Sequence, residues 1–330
     1  MNNPAKLVEH IFDLEKIEQK PTRAGYSEGL VAAGDENPNV VALCADLTES
    51  TMMLAFKKKF PERFIEIGVA EQNLAAVAAG MATMGKVPFI SSYAMFSPGR
   101  NWEQIRTTIC YNKQPVKIAG SHAGISVGPD GATHQAIEDI AITRVLPNMT
   151  VLAPCDMVEA RKATIAAARF TSPVYIRFHR EKTPICTTEA TPFEIGKAQV
   201  FFDVEKPDVA IIVCGPLVHS ALLAADALEK EGVKVRVINS PSIKPLDEET
   251  ILKAAKDTGA IVTVEEHQIA GGLGSAIAEY LVKTNPVPME FVGVRDRFGE
   301  SGAPNELLEA FGMGVKHIKE AVSAVLARKK

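Results

Sequence analysis

Two kinds of segment alternate along almost the whole chain and limit the folds open to it. Short apolar runs rich in β-branched residues, such as VVALCAD from Val40 and PVYIRF from Pro173, are separated by alanine-rich helical patterns such as VAEQNLAAVAAGMATMG from Val69. Runs that are apolar throughout are typical of parallel strands buried on both faces, with helices as the connecting crossovers. The sequence therefore predicts an α/β protein whose mostly parallel sheets are covered by helices.

This alternation pauses once, in a stretch rich in Thr and Pro. The segment EKTPICTTEATPFEIG begins at Glu181, and strand-like runs resume with DVAIIVCG from Asp208. Such a shift in composition is typical of a domain boundary, which we place near residues 186–200. The length of 330 residues also suits two domains of about 150 residues each. We expect two α/β domains.

Charge and cysteine content exclude several classes of partner. The chain carries 36 basic and 40 acidic side chains, for a net charge of -4, so neither nucleic acid nor an anionic membrane is an expected partner. No uninterrupted apolar segment approaches the ~18 residues of a membrane span. The five cysteines are scattered singly, which is typical of reduced thiols. A cytoplasmic protein is the expectation.

Polar side chains concentrate on one glycine-rich loop. The segment SHAGISVGPDGATHQ, residues 121–135, follows the strand-like PVKIAG and carries His122, Asp130 and His134. Because ligands in open α/β sheets bind beyond the carboxyl ends of strands, we favour a functional site here. The alternative is a pair of hydrogen-bonded histidines, with Asp130 serving a Pro-Asp-Gly turn. The spacing matches no familiar zinc pattern, so no metal site is expected in this chain.

Glu71 and two aromatic residues are further candidates, each with two interpretations. Glu71 opens an alanine-rich helix, either as a simple acid favoured by the helix dipole or as a carboxylic acid whose pKa is raised by apolar surroundings. In the second case it could exchange a proton with a bound heterocycle. Tyr93 and Phe96 either pack in the core or stack on a flat cofactor ring, since SPGR after Phe96 indicates a strand end.

Three charged residues near strand ends remain open on sequence grounds. Asp46 ends the VVALCA run and either caps the next helix or faces a ligand. Arg177 and Arg180, in YIRFHREK, are either solvated or grip a phosphate or carboxylate.

Four segments together resemble the C-terminal half of transketolase, a pyrimidine-binding domain followed by a C-terminal domain. They are GVAEQNLAAVAAG from Gly68, YAMF from Tyr93, HAGISVGPDGATHQ from His122 and VEEHQIAGGLG from Val264. The resemblance runs from Thr22 onward, and the His-x7-Asp-x3-His loop is its most specific part. It implies an N-terminal arm over 1–20, a pyrimidine-binding domain over 21–190 and a C-terminal domain over 191–330.

The resemblance also implies a cofactor and the residues that hold it. The family uses thiamine diphosphate to move a two-carbon ketol unit between sugar phosphates. Glu71 resembles the glutamate that hydrogen-bonds the aminopyrimidine ring and drives its tautomerisation. Phe96 resembles the aromatic residue that stacks on that ring, Tyr93 the neighbouring wall, and Asp46 an aspartate beside the cofactor.

The substrate side is implied in the same way. His122, Asp130 and His134 resemble residues that contact the sugar hydroxyl groups and the reactive carbon, with roles in proton transfer and recognition. Arg180 resembles an arginine that holds the substrate phosphate, and Arg177 is expected to assist it.

One departure from the family implies a second polypeptide. Transketolases bind the diphosphate and its metal, Mg²⁺ or Ca²⁺, through a Gly-Asp-Gly motif in their N-terminal half, and this chain has no Gly-Asp-Gly. We therefore expect a split enzyme, in which an N-terminal partner subunit supplies that site and two copies of the present chain pair. The alternatives are a subunit like deoxyxylulose phosphate synthase, a β subunit of a 2-oxoacid dehydrogenase, and a non-catalytic assembly subunit.

Overall fold

The structure, a computed structural model, describes residues 5–329. It contains two large sheets of mostly parallel strands covered by helices, in two successive domains, as the alternating pattern predicts. Residues 1–4 of the N-terminal arm and Lys330 lie outside the described residues.

The first half of the chain supplies eight strands and six helices within the described residues. In chain order they are β1 Gln19–Lys20, α1 Thr22–Glu36, β2 Val40–Cys44, α2 Leu54–Lys59, β3 Phe64–Glu66, α3 Glu71–Thr83, β4 Val87–Tyr93, α4 Trp102–Gln104, β5 Lys117–Ser121, α5 Asp139–Arg144, β6 Thr150–Leu152, α6 Met157–Arg169, β7 Val174–Arg177 and β8 Thr183–Pro184. A π-helix over Ile105–Tyr111 continues α4.

Up to residue 329, the second half adds six strands and five helices. They are β9 Gln199–Phe202, β10 Val209–Val213, α7 Val218–Lys230, β11 Val235–Asn239, β12 Ser242–Lys244, α8 Glu248–Thr258, β13 Ile261–Gln268, α9 Leu273–Thr284, β14 Met289–Val294, α10 Pro304–Ala310 and α11 Val315–Ala327.

The larger sheet has seven strands in the order β12-β6-β7-β5-β4-β2-β3. All neighbours are parallel except β12, which belongs to the second half of the sequence and pairs antiparallel with β6. Strand β2 is buried along its whole length, which explains why VVALC is an apolar run rather than an alternating pattern. The sheet brings the carboxyl ends of β7, β5, β4, β2 and β3 to one edge.

Helices α1 and α6 cover one face of this sheet and pack closely against each other. A Cβ atom at Gly25 in α1 would lie 1.9 Å from the carbonyl oxygen of Met157 in α6. No side chain fits at that distance, so glycine is required for this approach.

The second sheet has five strands in the order β14-β13-β10-β11-β9, with only β9 antiparallel. The two domains share a hydrophobic core, since one buried cluster joins Ile118 of β5 to Ile251 of α8 and Ile277 of α9. The described part of the N-terminal arm also packs on the second domain: Ile11 is buried there, and its carbonyl accepts a hydrogen bond from His219 at 2.8 Å. Within residues 5–329, none of the helices has the length and apolar character needed to cross a bilayer.

Candidate active site

The carboxyl ends of five neighbouring parallel strands carry almost all of the residues singled out in the sequence. Strands β4 and β5 end at Tyr93 and Ser121, so Phe96 and His122 follow at once on adjacent strands. Glu71 follows β3 and opens α3, as its position in the sequence predicts. Parallel topology therefore brings together residues that lie far apart in the sequence.

Four rings form a compact aromatic cluster at this edge. Tyr93 and His122 stack with ring centroids 3.8 Å apart, and Phe96 lies 6.0 Å from Tyr93 in a stacked arrangement. His134 meets Phe96 and Tyr93 edge-on at 5.4 and 6.1 Å. The two histidines of the loop thus share one wall with both aromatic residues.

His122 is held neutral. Burial first, and then the positive charges of Arg23 and Arg180, lower the pKa of His122 to about 3. Its Nε2 lies 3.5 Å from Nη1 of Arg23, a group that can only donate, so the proton sits on Nδ1 and is donated to Ser121 Oγ at 2.9 Å. Nε2 is therefore unprotonated at neutral pH and can accept a hydrogen bond.

The glycines of the loop allow the backbone to adopt conformations that other residues avoid. Gly124 and Gly128 both have φ of 82°, and the turn of 3-10 helix over Ile125–Asp130 breaks at Gly128. A Cβ at Gly124 would lie 2.2 Å from Oε1 of Glu266 in β13. Close contact with the second domain thus fixes the loop that carries the histidines.

Asp130 and Arg180 lie together at the outer end of this loop. Nη1 of Arg180 donates to the carbonyl of Val127 at 2.8 Å and lies 3.5 Å from Oδ1 of Asp130. Both side chains are about one-third exposed, at 32% and 33%. Burial first, and then the charge of Arg180, lower the pKa of Arg23, so the two guanidinium groups lie close enough to repel. Such a pair of cations suits an anionic ligand.

Glu71 is almost completely buried, with 1% exposure, but its surroundings are not purely apolar as one interpretation of the sequence expected. Nη1 of Arg100 lies 2.8 Å from Oε2 of Glu71. The Arg100 guanidinium also lies over the Phe96 ring, 4.8 Å from its centroid. Arg100 connects the carboxylate to the aromatic cluster.

Arg177 does not join the site. It is 1% exposed, its Nε donates to Asp139 at 2.8 Å, and its Nη2 donates to the carbonyl groups of Ala136 and Glu266. These bonds occupy the guanidinium inside the domain junction and indicate a structural role, and the expected help in binding a substrate phosphate stays a prediction. Arg177 stabilises the segment after the loop.

Asp46 lies at the same sheet edge but outside the aromatic cluster. It is exposed with φ of 57°, and its amide donates to Oε1 of Glu66 at 2.7 Å. The next helix, α2, begins at Leu54 with Met53 as its N-cap, so Asp46 does not cap it.

Arg23 and Arg100 were missed in the sequence. Arg23 lies in the first turn of α1 and reaches His122 across 99 positions of the chain. Arg100 belongs to SPGR, a segment that signals only the end of a strand pattern. Neither has a local sequence signal, because their partners are distant in the chain.

Comparison with known proteins identifies the class to which this fold and site belong. Two family models match in succession: transketolase, pyrimidine binding domain over residues 18–185, and transketolase, C-terminal domain over residues 196–318. The chain belongs to the transketolase family.

Within that family the chain corresponds to the C-terminal section. It is 44% identical over 307 residues to a Methanocaldococcus jannaschii protein named as a transketolase C-terminal section, covering 92% of this chain and 95% of the relative. It is 40% identical to a 6-deoxy-6-sulfo-D-fructose transketolase subunit of a Clostridium species, covering 95% of this chain and 97% of the subunit. By contrast, it spans 49% of human transketolase, at 37% identity and 93% coverage of this chain.

A solved structure supports the same correspondence. A split gene transketolase, described as an inactive tetramer of four beta chains, superposes on this chain with a TM-score of 0.88 at 47% identity. The match covers 94% of this chain and 99% of that one. The fold of two domains expected from the resemblance is confirmed.

The family implies thiamine diphosphate, and the residues present fit the pyrimidine part of that group. The buried Glu71 carboxylate and the Phe96 face already hold one flat group that donates a hydrogen bond, the guanidinium of Arg100. An aromatic heterocycle with an N–H donor has the same two requirements. Among residues 5–329, no group of three or more His, Cys, Asp or Glu side chains is arranged to hold a metal ion.

Proposed function

We propose that this chain is the C-terminal subunit of a heteromeric, thiamine diphosphate-dependent transketolase that transfers a two-carbon ketol unit between sugar phosphates. The observation that carries the proposal is the continuous arrangement of Glu71, Phe96, His134 and His122 at one sheet edge. This edge combines a buried acid, a stacking surface and two imidazoles, which is the set that a heterocyclic cofactor and a hydroxylated substrate require.

Each side chain on the cofactor side has a distinct task. Thiamine diphosphate, when bound, supplies a carbon nucleophile that accepts the ketol fragment. Glu71 holds a proton shared with the pyrimidine ring, and its near-complete burial keeps water from competing for that proton. Phe96 and Tyr93 orient the ring by stacking, and Asp46 supports the cofactor from the neighbouring strand end.

On the substrate side, the neutral His122 accepts a hydroxyl hydrogen bond at Nε2. His134 presents its imidazole next to it, and Asp130 hydrogen-bonds sugar hydroxyl groups. Arg180 binds the substrate anion, with Arg23 adding a second positive charge. A two-cation site also suits the sulfonate that the name of the Clostridium relative indicates for its substrate.

The remainder of the active site comes from other subunits in this proposal. An N-terminal transketolase subunit carries the Gly-Asp-Gly motif and binds the diphosphate with Mg²⁺ or Ca²⁺. Two copies of the present chain associate as a dimer. Each copy consists of an arm over 1–20, a pyrimidine-binding domain over 21–190 and a C-terminal domain over 191–330. The related split gene transketolase is inactive as a tetramer of four beta chains, which supports the view that this subunit needs its partner.

Mixing the purified subunits tests the proposal. The isolated chain should show no ketol transfer from a ketose phosphate to an aldose phosphate, and transfer should appear when the Gly-Asp-Gly subunit, thiamine diphosphate and Mg²⁺ are added. Transfer by the isolated chain would contradict the split arrangement. A complex that binds no cofactor would indicate an assembly subunit.

The other two alternatives predict different products. A deoxyxylulose phosphate synthase releases carbon dioxide from a 2-oxoacid, and a 2-oxoacid dehydrogenase β subunit also needs a lipoyl-carrying partner. Carbon dioxide release from pyruvate by the complex would support these alternatives over ketol transfer. The His122, Asp130 and His134 constellation favours a sugar substrate.

A further inference from the structure

Arg100 makes two contacts that the proposed reaction leaves unexplained. Its Nη1 lies 2.8 Å from Oε2 of Glu71, and its guanidinium carbon lies 4.8 Å from the centroid of Phe96. These are the carboxylate and the aromatic face assigned above to the pyrimidine ring. A guanidinium is flat, cationic and rich in N–H donors, so it can satisfy the same acceptor and stack on the same ring.

The two occupants exclude each other. Glu71 is 1% exposed, and the Arg100 guanidinium occupies the position beside its Oε2. A flat ring that stacks on Phe96 and donates to Glu71 must displace the guanidinium from both contacts. The Arg100 side chain is 50% exposed, so it can move into solvent without breaking the core.

The backbone around Arg100 is fixed, which limits any movement to the side chain. Nδ2 of Asn101 donates to the carbonyl of Glu71 at 3.0 Å and to Ser97 Oγ at 3.1 Å. The amide of Arg100 donates to the carbonyl of Phe96 at 2.9 Å. A Cβ at Gly99 would lie 2.0 Å from the carbonyl oxygen of Met95, so the turn before Arg100 is tightly closed.

We propose that Arg100 is a displaceable stand-in for the cofactor's aminopyrimidine. In the chain without cofactor, it neutralises the buried Glu71 and covers Phe96, and it swings out when thiamine diphosphate binds. This inference rests on the proposed function. It makes cofactor affinity depend on the fraction of molecules in which the Arg100 contacts are already open, because only those molecules can bind the ring.

The test compares thiamine diphosphate binding by complexes assembled from the N-terminal subunit and variants of this chain. Isothermal titration at saturating Mg²⁺ gives the dissociation constant of the cofactor. Arg100→Ala removes the competitor, so the cofactor should bind roughly 3- to 30-fold more tightly than to the wild type, as expected for loss of one partly exposed ion pair and one cation–π contact. Arg100→Gln, which keeps a flat but neutral donor, should give an intermediate gain.

Arg106→Ala is the matched control, since Arg106 is an exposed arginine six positions further along the chain, in the π-helix over Ile105–Tyr111. It should leave the dissociation constant unchanged. A second readout is the melting temperature. Arg100→Ala should lower it in the cofactor-free chain, and the difference should vanish in the complex saturated with cofactor, whereas a merely structural role would lower both equally.

Different results overturn the two proposals. If the wild-type complex shows no saturable cofactor binding, the proposed function fails and this inference with it. If the wild type binds but Arg100→Ala binds equally or more weakly, only the stand-in role fails, and a weaker affinity would indicate that Arg100 contacts the bound cofactor directly.

Discussion

Tyr93 and His122 stack at a ring-centroid distance of 3.8 Å, with their planes inclined by 22°. The stack joins the ends of two adjacent parallel strands and gives the His122 ring one defined orientation. Because His122 has φ of 55° and its Nδ1 is hydrogen-bonded to Ser121 Oγ, its unprotonated Nε2 points in a fixed direction. Orientation of this nitrogen is what the proposed substrate role requires.

Removing the Tyr93 ring should therefore impair the reaction without preventing assembly. We expect Tyr93→Ala to lower kcat/KM of the reconstituted complex by about 10- to 100-fold, because a misplaced catalytic group costs about that much. Tyr93→Phe keeps the ring and should stay near the wild type. Steady-state kinetics of the two variants check this, and equal losses would assign the effect to the hydroxyl group instead.

The lowered pKa of His122 should make the isolated chain less stable in mild acid. Histidine in the unfolded chain has a pKa of about 6.5, so between pH 6.5 and about 3 the unfolded chain binds a proton that the folded chain does not. The free energy of unfolding is fully retained above this window and falls with pH inside it. At pH 5 the His122 contribution should approach a loss of about 2 kcal/mol.

Urea titrations at pH 7 and pH 5 measure this loss. His122→Asn, a residue that tolerates positive φ, should lose less stability between the two pH values than the wild type. The exposed His10→Asn is the control and should follow the wild type. An unchanged pH dependence in His122→Asn would contradict the assignment.

Arg180 should act on phosphorylated substrates selectively. Because it lies one-third exposed beside Asp130, we expect Arg180→Ala to raise KM for a sugar phosphate by roughly 10- to 100-fold, the range for loss of a charged hydrogen bond. The matched comparison is an unphosphorylated sugar acceptor, whose KM should be unaffected. An equal increase for both acceptors would show that Arg180 does not bind the phosphate.

Substitution of Arg177 should affect the stability of the chain and not its KM for the substrate. Its ion pair with Asp139 is buried, so Arg177→Leu leaves an uncompensated carboxylate and should cost about 3–5 kcal/mol in the free energy of unfolding. The exposed Arg106→Leu should change it by less than about 0.5 kcal/mol. Denaturant unfolding of the isolated chain separates the two, and a stable Arg177→Leu variant with a raised KM would restore the substrate role.

Most of the fold and part of the candidate site could be predicted from the sequence. The run VVALCAD from Val40 contains β2, and the apolar runs indicate other long strands because burial on both faces imposes that composition. The glycine-rich loop and the ring of Phe96 could be placed at strand ends for the same local reasons. These features depend on neighbours in the chain.

Features set by distant contacts could not be predicted in this way. The edge strand β12 joins the first sheet although it lies in the second half of the chain, and Arg100 reaches Glu71 across 29 positions. Arg177 and Arg180 look alike in YIRFHREK, yet one is buried by Asp139 and the other faces the site. The different environments of these two arginines follow only from the packing of the two domains.

The central claim is that Glu71 is the acid of a thiamine diphosphate site completed by a partner subunit. The most direct measurement is ketol transfer by the reconstituted complex carrying Glu71→Ala, with the melting temperature as a check on folding. We predict a folded variant whose turnover is lower by about 10²- to 10⁴-fold or more. Near-normal turnover by that variant would contradict the claim.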